Sequence, residues 1–347
     1  MGEIYANSVC TVAALTARNS HEGCFFDETR NPLSFRSCRI SDRWYVEGNP
    51  NVGVDLRVGL SALPLHTRAW VVQERILAPR TLYYGSNGLA WECAQCSATE
   101  ADPRGQVSRF SPKASFFDIL QQQSHDALYD CWTDVQLAYT MCQLTRFSDR
   151  LVAISGVIKR IERVTGWRNV WGLWRERVLH ELLWFVEEPT GRPVTEQYLA
   201  PTWSWVGIEG KVMKVIGSAQ KTVWMADVVD VGSSEGRGYV RIRGMTKKVR
   251  CTDEGRLSSC LETVTSRWDD VDWNADVELG TAGFGKELEC LLIARLPEWI
   301  GDKGFDIGLV MSLQGDERMR VGVFRQLREG NHLFPESRGD LREIVVI

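Results

Sequence analysis

An α+β fold is predicted by three features of the 347-residue sequence. A short apolar strand, a helix and a second strand succeed one another before residue 85, residues 115–185 carry helical spacing, and β-branched or alternating runs fill the chain after Pro201. The chain opens as a helix tail over residues 1–7. It runs into an apolar stretch over 9–15, of the kind buried on both faces of a parallel sheet. Gly, Pro, Asn and Ser break residues 16–64 into a long insertion, with weak strands near 44–46 and 54–58. Thr67 is placed to N-cap a helix carrying Ala69, Trp70, Val71, Val72 and Ile76. That helix must stop before Pro79, because the residue ahead of a proline avoids helical backbone angles. Residues 81–84 and 89–93 flank Asn87-Gly88, a pair suited to positive φ, and read as a hairpin.

Helical spacing then marks residues 116–122, 127–144, 148–164 and 171–185. In the third of these, Leu151, Ile154, Ile158 and Ile161 form one stripe, with Lys159, Arg160 and Arg163 opposite. Strands are expected at 221–231, 239–244, 288–295, 307–313, 320–324 and 342–347. The weakest joints lie near 102–113 and 190–201. They divide the chain into an α/β region over 1–101, a helical, Trp-rich region over 102–200 and a β-rich region over 201–347.

Charge and composition exclude several functions. The formal charge of −4, from 41 Lys plus Arg against 45 Asp plus Glu, supplies no basic face for nucleic acid. No apolar run approaches the roughly 20 residues of a membrane-spanning helix. The N-terminus lacks a signal-peptide pattern, and Ala6 stands where a myristoylation signal wants Ser or Thr, so a cytoplasmic address is expected. The ten cysteines, in a chain with no Asn-x-Ser/Thr sequon, are expected to be reduced, buried core residues.

Cys93-Ala94-Gln95-Cys96 is a single C-x-x-C without the second ligand pair of a zinc site, and reads as a hairpin with two buried thiols. Residues 270–274 imitate the start of a calcium loop, but Ala275 replaces the required Gly and Thr281 the closing Glu, leaving a solvated acidic loop. No metal is therefore expected. There is no Walker A, G-x-G-x-x-G, H-E-x-x-H or G-x-S-x-G motif. Tryptophan is abundant, with 14 in all and six between 167 and 205. Trp203 and Trp205 alternate in strand period, which puts both indoles on one face. They read either as core packing against Trp171, Trp174 and Trp184 or as an aromatic ligand platform.

The stretch Arg68-Ala69-Trp70-Val71-Val72-Gln73-Glu74-Arg75-Ile76-Leu77-Ala78-Pro79-Arg80 resembles the R-x-W-x-x-Q-E-R-x-L-x-P-R block of the fungal heterokaryon incompatibility (HET) domain. Other family pieces occur in order. They are Met1 to Ser8 ahead of a strand, Gly23-Cys24-Phe25, Trp91-Glu92-Cys93 followed by Glu100, Asp149 to Gly156, Gly172-Leu173-Trp174, Leu183-Trp184 and Ala200 to Trp205. The family's opening blocks, around G-Y-x-W-G and D-A-x-C-I-N-Q, are missing, and Met1 aligns with an internal methionine of the pattern. The resemblance therefore implies a HET domain that lacks its first strands, the remnant of an α/β, TIR-like fold.

That resemblance implies a role in non-self recognition and programmed cell death, exerted through self-association or protein partners. It also implies an alternative. In NAD-cleaving TIR relatives a W-x-x-x-E helix supplies the glutamate, and Glu74, four residues after Trp70 on one helix face, would inherit that role, supported by Arg68, Gln73, Arg75, Pro79 and Arg80. A carboxylate there would stabilise an oxocarbenium-like sugar as nicotinamide leaves. NAD would be a substrate, with no cofactor required. The plainer alternative makes Glu74 an exposed helix residue paired with Arg75, Arg80 or Arg68.

Overall fold

The computed structural model describes residues 1–24, 38–41, 44–46, 63–85, 88–100, 103–107, 112–122, 124–188, 192, 198–218, 220–251, 257–259, 271–276, 287–300, 303–314, 317–328 and 333–347. The expected strand at 54–58 lies outside them. Helices and strands mix as an α+β chain. Its contacts divide into two compact units, Met1–Gly166 and Trp167–Ile347, whereas the sequence suggested joints near 102–113 and 190–201.

The first unit contains α1 (Gly2–Ala6), β1 (Thr11–Ala14), the hairpin β2 (Cys38–Ser41) and β3 (Trp44–Val46), α2 (Ala69–Leu77), β4 (Arg80–Gly85), β5 (Gly88–Cys93), β6 (Cys96–Thr99), β7 (Gln106–Val107), α3 (Pro112–Gln122), α4 (His125–Thr140) and α5 (Ser155–Thr165). Its sheet has the order β1-β4-β5-β6-β7. β1 runs parallel to β4, with α2 in the connection, and the remaining pairs are antiparallel. β1 is not buried on both faces as expected. Among the described residues it pairs with β4 alone, and Val9 and Val12 are exposed while Ala13 and Leu15 point into the core.

α2 buries Ala69, Val71, Gln73, Ile76 and Leu77, and ends at Ala78, whose extended backbone precedes Pro79 as expected. Thr67 does not cap it. The Thr67 hydroxyl donates to the Pro64 carbonyl at 2.9 Å, while Gln143 brackets the helix start by donating to the Thr67 carbonyl and accepting from the Ala69 N–H. A tertiary strand-like bridge satisfies the groups a local cap would have satisfied.

α4 is capped by Ser124, which accepts from the Ala127 N–H, and stops at Thr140, short of residue 144. The expected helix over 148–164 starts late. Two 3-10 turns, Phe147–Asp149 and Val152–Ile154, precede α5, because the Gly156 N–H turns to the Gln73 side-chain oxygen at 2.5 Å and the Ser155 hydroxyl takes the Val152 carbonyl. From Ser155 the predicted stripe holds, with Ile158 and Ile161 buried, and Gly166 closes the helix at φ 74°. A Cβ on Gly156 would lie 2.5 Å from the Gln73 oxygen and 2.8 Å from the Gly2 Cα. Gly156→Ala is therefore expected to destabilise the chain by about 1–3 kcal/mol in urea unfolding, and an unchanged midpoint would show that these backbones are not held in contact.

The second unit contains β8 (Asn169–Val170), β9 (Leu173–Trp174), α6 (Val178–Glu181), β10 (Trp184–Val186), β11 (Val212–Lys214), β12 (Val223–Trp224), β13 (Asp227–Ser234), β14 (Arg237–Gly244), β15 (Thr246–Cys251), β16 (Leu257–Ser259), β17 (Val271–Ala275), β18 (Glu287–Ile300), β19 (Lys303–Gln314), β20 (Glu317–Leu327) and β21 (Arg342–Val346). The expected helix over 171–185 is replaced by a hairpin, a four-residue helix and a strand. Trp171 and Gly172 turn the hairpin at φ 52° and 85°, which no helix accommodates.

Among the described residues ten strands form the main sheet, in the order β13-β14-β21-β20-β19-β18-β15-β16, with β12 on β18 and β17 on β20. At its centre β18 buries Leu288 through Ala294 without alternation, so both faces are covered there. Met245, Cys290, Leu292, Val310, Phe324 and Phe334 pack into one core. Residues 271–275, expected as part of an acidic loop, are β17, paired antiparallel with β20.

Residues 201–205 are not a strand. They form a turn leading into a 3-10 helix, Trp205–Gly207, with Ser204 accepting from the Val206 N–H. Trp203 and Trp205 are nonetheless fully buried, the Trp184 indole donates to the Trp203 carbonyl, and the Trp205 indole to the Gly172 carbonyl. Trp174, Trp184, Trp203 and Trp205 are core residues, while Trp171 at the hairpin turn is half-buried.

Candidate functional site

α2 presents two different polar faces, and the residues of the Arg68–Arg80 block separate between them. On the first, Trp70 and Glu74 are both half-buried. Glu74 meets Tyr5 of α1. Burial, the Glu74 charge and a hydrogen bond to its carboxylate push the Tyr5 hydroxyl above its ordinary pKa, and Arg68 works in the opposite direction. Glu74 is thus neither fully exposed nor the partner of Arg75. Arg80, exposed, donates to the Val9 carbonyl at 3.3 Å. The arrangement is a carboxylate beside a phenol donor, capable of holding a cationic or hydroxylated group.

Gln73 and Arg75 point elsewhere. Gln73 is buried against Gly156. Arg75 forks onto Glu92 of β5, Nε to Oε2 at 2.9 Å and Nη2 to Oε1 at 2.7 Å. The sequence ties Glu92 only to a family pattern, yet it centres a buried polar cluster that joins Arg75, Tyr83 and Lys113. Cross-strand register sets Thr81 opposite Glu92 and Tyr83 opposite Ala90, so the alternation of β4 and β5 sends all four to one face. The Tyr83 hydroxyl donates to Glu92 Oε2 at 2.7 Å. Lys113, fully buried on α3, donates to the Thr81 hydroxyl at 2.7 Å and lies 3.8 Å from Glu92 Oε2.

The environment separates the charges sharply. Burial opposes the Arg75 charge, but Glu92 more than offsets it and holds the guanidinium above its ordinary pKa. Burial, then the Glu92 charge, raises the Tyr83 phenol. Lys113 is pulled down to about 8 by burial, which the Glu92 charge only partly opposes. Beside them His66 packs on Tyr83 with ring centroids 5.9 Å apart, and its Nε2 has no hydrogen-bond partner among the described residues. Burial, with Arg75 adding to it and Glu92 opposing, lowers the imidazole to about 4.

Because that folded pKa lies below the unfolded 6.5, the unfolded chain binds the proton more readily. His66 therefore contributes stability that is complete above pH 6.5 and lost as pH falls through 4. Urea unfolding between pH 7 and 4 is expected to show an acid loss on the order of 3 kcal/mol that His66→Gln removes. Parallel curves for both proteins would sink the assignment.

Among the described residues no group of three His, Cys, Asp or Glu side chains is arranged to hold a metal. The cysteines are less uniform than expected. Cys131, Cys251 and Cys290 are buried, but Cys10 is exposed and Cys93 and Cys96 are half-buried, with their sulfurs 3.7 Å apart.

Residues 1–74 match the family model for heterokaryon incompatibility protein (HET). Over this N-terminal stretch the chain is similar to that family. No curated protein and no solved structure matches the chain. The HET match carries α1, β1 and α2 as far as Glu74, so both faces of α2 begin inside it. Glu92 and Lys113, which complete the buried cluster, lie beyond it. The sequence signal for that cluster was faint: period-two alternation in residues 81–93 placed Thr81, Tyr83 and Glu92 in reach of one another, but nothing in the string pointed to Lys113.

Proposed function

We propose that this chain acts in fungal non-self recognition and the programmed cell death that follows, through self-association or a protein partner. The observation that carries the reading is the HET match over residues 1–74. The structure of α2 supports it. Gln73 and Arg75 serve packing and a buried ion pair rather than an open pocket, and exposed Ile4, Val9 and Val12 leave apolar surface on the matched segment. The proposed site of action is the cytoplasm; no helix among the described residues is long and apolar enough to cross a membrane. Induced expression in a fungal host is expected to reduce viability, with the purified chain gaining mass in light scattering as concentration rises. A strictly monomeric chain without effect on viability would overturn the reading.

The second reading, an NAD glycohydrolase using Glu74 with NAD as substrate and no cofactor, draws support from the half-buried Glu74–Tyr5 pair and from the parallel β1–α2–β4 unit. In this reading Glu74 stabilises the oxocarbenium-like ribosyl group as nicotinamide departs. Nicotinamide release from NAD is expected to vanish in Glu74→Gln while stability changes by no more than about 1 kcal/mol. Release that persists in the variant removes Glu74 from the chemistry, and no release from the unmodified chain removes the enzymatic reading of this chain.

A further inference from the structure

Cys93 ends β5 and Cys96 begins β6, so the two thiols close a two-residue turn formed by Ala94 and Gln95. Their sulfurs are 3.7 Å apart, and the Cys96 backbone N–H donates to the Cys93 sulfur at 3.4 Å. Both are half-buried, which leaves them within reach of a small solute, unlike Cys131, Cys251 and Cys290. The hairpin is fixed by its register: Ala90, Trp91 and Glu92 pair with Thr99, Ala98 and Ser97, and Glu92 is anchored in turn by Arg75, Tyr83 and Lys113. The two sulfurs are thus held as neighbours by a rigid frame rather than meeting by chance of a mobile loop.

The geometry points to a reversible dithiol–disulfide pair at Cys93 and Cys96 that exchanges with low-molecular-weight disulfides, Cys93 attacking and Cys96 resolving. The Cys93 thiolate attacks one sulfur of the small disulfide and expels a thiolate, giving a mixed disulfide. The Cys96 thiolate then attacks the Cys93 sulfur and expels the second thiolate. The protein loses two electrons and two protons, and the small disulfide leaves as two thiols. The polarity of the pair sets the order of attack. Burial raises the Cys93 thiol, but N–H donors from Gln95 and Cys96, with the Cys96 thiol and Trp91, more than offset it and leave Cys93 below its ordinary pKa; burial and the neighbouring Cys93 raise Cys96. Lys113 lies within electrostatic reach of Cys93. The inference is independent of the proposed function and stands whether or not the chain signals death or cleaves NAD.

The test equilibrates the folded full-length chain with graded ratios of oxidised to reduced glutathione, then alkylates and maps it. Trypsin isolates both sulfurs, and no other cysteine, in the peptide of residues 81–104. The expected result is that this peptide loses both alkylatable thiols together and becomes lighter by two hydrogens, reversibly on reduction. Cys96→Ser is expected to trap a glutathione adduct on Cys93, whereas Cys93→Ser accumulates much less on Cys96. The proposal is overturned if both thiols stay alkylatable at every ratio, or if they acquire separate adducts and never the internal bond. Circular dichroism of each variant confirms that the hairpin's unit remains folded when the outcome is read.

Discussion

Arg320→Met is expected to destabilise the chain by about 3–5 kcal/mol, the cost of breaking a buried ion pair by removing one partner. Arg320 and Asp276 are both fully buried, joined by Nε to Oδ2 at 2.9 Å and Nη2 to Oδ1 at 3.1 Å. The guanidinium also donates to the Leu182 carbonyl at 2.6 Å and the Trp184 carbonyl at 2.5 Å, and sits 3.5 Å above the Trp184 ring. One side chain of β20 thus ties together the turn after α6, the start of β10 and the residue that follows β17. Methionine fills the volume but leaves a carboxylate and two carbonyls without their donor. Arg320→Lys is expected to recover little, since an ammonium cannot fork across the carboxylate and reach both carbonyls. Adding Asp276→Leu to Arg320→Met should restore a large part of the loss in urea unfolding, because the orphaned charge is then gone. A single variant within about 1 kcal/mol of the unmodified chain would show that this pair is not buried.

How much of this was legible in the sequence depended on how local its cause was. The stop before Pro79, the hairpin pairing residues 81–84 with 89–93 and the Ile158–Ile161 half of the expected stripe each follow from neighbours in the chain, and each is present. Residues 171–185 misled because burial there is not one-sided. Leu173, Trp174, Val178, Leu182, Leu183 and Trp184 are all buried, so apolar residues recur at helical spacing without a helix, and the turn at Trp171 has no sequence signature beyond Gly172. Asp276 was invisible for a related reason: it follows residues that read as an acidic loop, and its partner lies 44 positions away. The block that carried the HET resemblance was legible as a pattern but not as a division of labour. Nothing in the order Gln73-Glu74-Arg75 says that the first binds α5, the second faces Tyr5 and the third reaches Glu92.

Glu92→Gln is the matching experiment in the first unit, with an expected loss of about 3–5 kcal/mol. Glutamine preserves the shape of the side chain, so the loss isolates charge. Arg75 would keep a neutral acceptor, but Lys113, fully buried beneath Thr81, would lose the carboxylate that supports its ammonium form. Its pKa, already down at about 8 through burial, should then fall further. The pH dependence gives this a second readout. A lysine whose folded pKa lies below its unfolded value near 10.5 favours folding fully above pH 10.5, and that contribution is lost as pH falls through 8. The unmodified chain should therefore gain stability from this group between pH 8 and 10.5, and in Glu92→Gln the gain should begin at lower pH. Lys113→Met abolishes the gain in either background. In the Glu92→Gln background it should also recover part of the stability, since it removes a buried cation left without its partner. If Lys113→Met and Glu92→Gln instead add without interaction, the lysine and the glutamate are not coupled and the buried cluster is two independent hydrogen-bonded pairs.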